Sequence, residues 1–82
     1  MRTLPATIDA ETQNRWILGG DVAGVIFRMC QAVTVVSGPA KGSRGELISL
    51  LAVSPVPTYH LETHDGGDED VLQTELAPVY DA

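Results

Sequence analysis

Residues 32–48 read Ala32-Val33-Thr34-Val35-Val36-Ser37-Gly38-Pro39-Ala40-Lys41-Gly42-Ser43-Arg44-Gly45-Glu46-Leu47-Ile48. An apolar, β-branched run, Ala32–Val36, reads as a strand and ends at Ser37-Gly38-Pro39. A second strand is expected over Glu46–Val53, with Leu47, Ile48, Leu50, Leu51 and Val53 as its apolar residues. Between them lies a loop holding three glycines, a proline and two bases. A tight arch between two strands needs residues that accept φ > 0, which Gly42 and Gly45 can supply, while Pro39 fixes φ on the way in. Gly38, Gly42 and Gly45 are therefore the expected turn residues.

Downstream, Ser54-Pro55-Val56-Pro57 breaks the second strand, because proline lacks an amide donor. Thr58–Thr63 alternates, with Tyr59, Leu61 and Thr63 facing one way and His60 and Glu62 the other. Asp65-Gly66-Gly67-Asp68 is a hairpin turn, and Glu69–Leu72 returns as a short strand. Gln73-Thr74-Glu75-Leu76 reads as one tight turn that seals an end of the sheet with Leu76.

Upstream, residues 1–8 read as an arm without fixed order. A short helix is expected from Ile8 to Leu18, capped by Thr7 or Asp9 and stopped by Gly19-Gly20, with Trp16 and Ile17 against the core. Val22–Cys30 is apolar enough to be a buried helix or a buried strand. Gly24 and the Val25-Ile26 pair weaken the helix, but a helix is still expected. Closely spaced strands with turn signals between them suggest a small closed or half-closed barrel over residues 31–82. Residues 1–30 form an arm and helical extension, the whole being one compact domain.

Residues 32–48 resemble the KOW motif, through Val33, Val35, Gly38, Lys41, Gly42, Gly45 and Leu47. The later stretch, Tyr59 to Leu76, also looks like the end of such barrels, where a strand–turn–strand leads into a short 3₁₀ turn. The likeness covers roughly residues 31–77. It implies a mainly β fold, a small SH3-like (KOW-like) barrel with an N-terminal helical extension. KOW modules occur in large-subunit ribosomal proteins and NusG-type transcription factors, so Lys41 and Arg44 inherit a suggestion of RNA or protein contact. Their flanks are typically basic, and here they are not.

The 82 residues carry 5 Lys+Arg against 11 Asp+Glu, a net charge of −6. All five bases lie at or before Arg44, and eight of the acids follow it. Such a field repels phosphate backbones and favours a basic partner surface. It disfavours general nucleic-acid binding. Hydrophobic residues at 44% and charged residues at 20% fit a folded globule, and no apolar run is long enough for a membrane span. The single Cys30 has no partner for an internal disulfide, and Met1–Pro5 has no apolar signal core, so a cytoplasmic location is expected. Cys30 itself reads as a small buried hydrophobe.

Candidate chemical sites are few. His60, Glu62 and His64 would share one strand face, but about 13 Å separates the ends at about 3.3 Å per residue, too far for one ion. The acids Asp65, Asp68, Glu69, Asp70 and Glu75 lack the spacing of an EF-hand loop. Gly38–Gly45 is not a P-loop, and no serine stands in a nucleophile elbow. No enzyme, cofactor or metal is expected. Trp16, Tyr59 and Tyr80 are candidates for an aromatic peptide-binding surface, and Lys41 with Arg44 for a binding loop. The expected function is that of an acidic protein-interaction module binding another protein, for which the charge favours a basic one. The alternative is a KOW-type nucleic-acid, ribosome or transcription module using Lys41 and Arg44. A homodimer burying Val22–Cys30 is also expected, because that segment exceeds what one small core covers.

Overall fold

A computed structural model describes residues 8–79. The helix α1 spans Ala10–Ile17, followed by strands β1 (Ala32–Val35), β2 (Arg44–Ala52), β3 (Thr58–Thr63), β4 (Asp68–Leu72) and β5 (Leu76–Pro78). A 3₁₀ turn, Gln73–Glu75, joins β4 to β5. All ladders are antiparallel, and the order across the single sheet is β4-β3-β2-β1-β5. The fold is mainly β, as the strand patterning implied. The sheet does not close on itself, since β4 and β5 stand at opposite ends of the order and are joined only through the 3₁₀ turn. β5 was not foreseen; its three residues pair with β1 through Val35↔Leu76 and Val33↔Pro78.

The 38–45 arch forms between β1 and β2, held by Gly42 N–H to Val35 O at 2.9 Å and Val35 N–H to Ser43 O at 2.8 Å. Its glycines act differently from expectation. Gly38 and Gly42 adopt positive φ (84° and 98°), but Gly45 does not. Gly45 is instead required by close approach, because a Cβ there would overlap the carbonyl oxygen of Glu62 on β3. Gly38 has a second constraint: its missing side chain leaves room for the buried Glu75 carboxylate. That carboxylate also accepts the Leu72 N–H at 3.0 Å, so the first loop and the 3₁₀ turn interlock.

α1 has the expected boundaries to within two residues. Asp9, rather than Thr7, is the N-cap, its Oδ1 accepting the Thr12 N–H at 2.8 Å. Thr7 and the rest of the arm, 1–7, lie outside the described residues. The helix ends in a Schellman arrangement, with Gly19 N–H to Trp16 O and Gly20 N–H to Arg15 O, and Gly19 at φ 84°. Trp16 is fully enclosed, whereas Ile17 is 41% exposed and does not join the core.

Residues 22–30 form no helix. They run as an irregular segment with single turns, because Gly24 (φ 81°) and Cys30 (φ 64°) both sit in the left-handed region that a helix cannot contain. The segment spreads its apolar residues instead of lining them up. Phe27 is buried, Val22, Val25 and Met29 lean on the core, Ile26 is exposed, and Cys30 is exposed rather than buried. Gln73 fastens this segment to the sheet: its Oε1 accepts the Ile26 N–H and its Nε2 donates to Gly24 O, each at 3.0 Å.

The core therefore mixes both halves of the chain. Trp16 and Phe27 from the N-terminal part pack with Val33, Val35, Leu47, Leu50, Leu61, Val71 and Leu76 around Tyr59. The Tyr59 ring lies 6.0 Å from Trp16 and 5.9 Å, edge-on, from Phe27, which are favoured aromatic geometries. The Trp16 indole N–H donates to Phe27 O at 2.9 Å. Residues 8–30 thus cover the core face of the sheet.

Candidate functional site

With one face of the sheet filled by the core, residues that alternate with it point outward, and register decides which of them meet. The β3–β4 register follows from the turn after Thr63, where Thr63 N–H donates to Gly67 O at 2.9 Å. That contact sets Glu62 opposite Asp68 and His60 opposite Asp70. On the other side of β3, Glu62 stands opposite Glu46 of β2. Three exposed carboxylate residues, Glu46, Glu62 and Asp68, thus form a single row across β2, β3 and β4. Directly opposed residues in such ladders are about 4.5–5.5 Å apart at Cα.

The next position along carries His60 with its two aspartates. Asp70 Oδ1 lies 2.8 Å from His60 Nδ1, and Asp68 Oδ2 lies 3.7 Å from Nε2. One imidazole is shared between two acids, so the face remains acidic. Two of the arginines are engaged elsewhere: Arg15 pairs with Glu11 at 3.3 Å and Arg28 with Asp21 at 2.9 Å. Among the described residues, no lysine or arginine pairs with Glu46, Glu62 or Asp68.

Two positions in the other direction the sign changes. His64 N–H donates to Arg44 O at 2.9 Å, placing these residues opposite each other on the same face as Glu46 and Glu62. Arg44 and His64 are both exposed, and Lys41 is exposed at the tip of the β1–β2 loop. Between that loop and the β3–β4 turn lies an open hollow of about 300 Å³, lined by Gly42, Ser43, Arg44, Thr63, His64 and Asp65. The Asp65 carboxylate is engaged by Thr63 Oγ1 and by the Gly67 N–H at 3.3 Å, and these hydrogen bonds hold it below its usual carboxyl range.

Of the candidate binding residues, Arg44 and Lys41 are at the surface as a loop site requires. Trp16 and Tyr59 are not: at 1% and 0% exposure they belong to the core and present no aromatic groove. The reason is the small core, which consumes both rings. Tyr80 lies outside the described residues. Burial pushes the Tyr59 hydroxyl up to about 12, and that hydroxyl donates to Gln73 Oε1. His60 and His64, expected on one face, are there, but with different neighbours: His60 sits between aspartates and His64 opposite Arg44. Among the described residues no group of three or more His, Cys, Asp or Glu side chains is arranged to hold a metal ion, and no helix is long and apolar enough to cross a membrane.

The carboxylate row was missed in the sequence. Its signal was available in the Asp65-Gly66-Gly67 turn, which fixes the pairing of residues 62 and 68. Glu46, by contrast, reaches the row only through the β2–β3 register, which the prolines at 55 and 57 leave unspecified. No protein-family model, curated protein or solved structure matches this chain.

Proposed function

We propose that this chain is a non-catalytic interaction module, an SH3-like half-open barrel whose outer sheet face docks a basic partner protein. The observation that carries this reading is the row Glu46–Glu62–Asp68. Like charges placed directly opposite on neighbouring strands cost about 0.2–1 kcal/mol per pair, and folding gains nothing from them. A cationic partner removes that cost, and the surrounding negative field speeds its approach in a salt-dependent way.

The barrel reading is supported by the path of the chain. A meander β1-β2-β3-β4 is followed by a 3₁₀ turn and a fifth strand that returns to β1. The residues of the KOW resemblance also fall on one hairpin, with Val33, Val35 and Leu47 in the core, Gly38 and Gly45 where a side chain would clash, and Gly42 at positive φ.

The test uses an octalysine peptide, titrated by calorimetry and by amide NMR at low and at 0.5 M salt. Binding at low salt, lost at high salt and in a Glu62→Lys/Asp68→Lys variant, with shifts centred on β2–β4, is the expected result. Peptide binding unchanged in that variant would overturn the reading. So would salt-dependent binding to RNA or DNA that disappears in Lys41→Ala/Arg44→Ala, which would instead favour a nucleic-acid module.

A further inference from the structure

Beyond the acidic row, we propose that the hollow between the β1–β2 loop and the β3–β4 turn binds a single oxyanionic group, a carboxylate or a phosphate. Arg44 and His64 face each other across its floor through the His64 N–H to Arg44 O bond. Among the described residues, the Arg44 guanidinium, the His64 imidazole and the Ser43 hydroxyl make no hydrogen bond. Three residues that line about 300 Å³ of open space thus carry donor groups with no hydrogen-bond partner among the described residues. A guanidinium offers paired N–H groups matched to a carboxylate or phosphate, which makes an oxyanion the fitting ligand rather than a neutral one.

The walls are set before any ligand arrives. Ser43 N–H donates to Ala40 O at 3.0 Å, Val35 N–H to Ser43 O, and Gly66 N–H to Thr63 O at 3.1 Å, so both turns are closed by their own backbone bonds. Asp65 is the only acid on the rim, and its carboxylate is turned toward Thr63 and Gly67. It lowers affinity for an anion without filling the hollow. Lys41, exposed on the same loop three residues before Arg44, adds a further positive charge to that loop. Glu46 does not line the hollow.

Amide NMR titrations with inorganic phosphate and with acetate, each matched in ionic strength by sodium chloride, test the site. Saturable shifts confined to residues 42–44 and 63–65, absent with chloride, are expected. Response to both probes marks a site for any oxyanion, and response to phosphate alone one for phosphate groups. Affinity should fall at least fivefold in Arg44→Gln and in His64→Gln, and rise in Asp65→Asn. Unshifted core amides of Leu47 and Leu61 will show that the variants remain folded. Non-saturating shifts, shifts shared with chloride, or full retention in both Arg44→Gln and His64→Gln would overturn the proposal. These outcomes are independent of octalysine binding, which reads a different set of residues.

Discussion

The side-chain amide of Gln13 forms a two-sided pair with the backbone of Leu50, donating from Nε2 to its carbonyl at 2.7 Å and accepting its N–H on Oε1 at 3.0 Å. It stands in for a strand. β1 pairs with β2 only at residues 44–46, so the Leu50 groups on that side of β2 have no strand opposite them. The helix is therefore joined to the sheet by the same hydrogen-bond currency as the sheet itself, besides the burial of Trp16.

Replacing Gln13 by Leu roughly keeps the side chain's size and removes both bonds to Leu50, together with the one that Nε2 donates to Ser49 Oγ at 3.1 Å. A half-buried N–H and C=O left without partners should cost about 1–3 kcal/mol. Urea denaturation should show a lower midpoint with an unchanged slope, since the surface exposed on unfolding is the same. An unchanged midpoint would mean that water satisfies Leu50 and that the amide pair contributes nothing.

Gly45 and Gly42 test two different reasons for glycine. Gly45→Ala forces a methyl group into the Glu62 carbonyl, so β2 and β3 must separate, at about 1–3 kcal/mol. Gly42→Ala meets no neighbour and is strained only by its φ of 98°. Hydrogen exchange separates them. Faster exchange at the Glu62 and Glu46 amides is expected for Gly45→Ala alone.

What the sequence revealed and what it hid divide along physical lines. The β1–β2 arch, the alternation of Tyr59, His60, Leu61 and Glu62, and the Gly19-Gly20 helix stop are local, and each was legible. Residues 22–30 were not, because their apolar residues satisfy either regular pattern while the positive φ at Cys30 leaves no mark in composition. β5 was hidden for the same reason, since three residues ending in Pro78 have no periodicity to read. Arg44 was a candidate through the KOW resemblance of its loop. Its partner His64, and the row Glu46–Glu62–Asp68, depend on interstrand register: the turn at 65–67 announces that of β3 with β4, and nothing local announces that of β2 with β3.

The carboxylate row predicts a trade between stability and binding. Glu62 is the central member, opposed by Glu46 on one side and Asp68 on the other. Glu62→Gln should raise stability by about 0.2–1 kcal/mol at low salt, and the gain should shrink as salt screens the row. The same change should weaken octalysine binding. A Glu62→Gln protein no more stable at low salt than the parent would show that the row carries no repulsion for a partner to relieve.

Tyr59 makes the fold sensitive to alkali. Its hydroxyl, buried against Trp16 and Phe27 and hydrogen-bonded to Gln73, has its ionisation raised from 10.0 to about 12, chiefly by burial. The folded state therefore holds the proton more tightly than the unfolded state. That contribution is complete below pH 10 and is lost as pH rises through about 12, amounting to at most about 2–3 kcal/mol. Stability measured by denaturant titration at pH 9, 10, 11 and 12 should fall across this window. In Tyr59→Phe the fall attributable to this group should vanish, although the lost bond to Gln73 lowers stability at neutral pH by about 0.5–1.5 kcal/mol. If wild type and Tyr59→Phe declined in parallel above pH 10, another group would be responsible and the Tyr59 hydroxyl would not be sealed in the core.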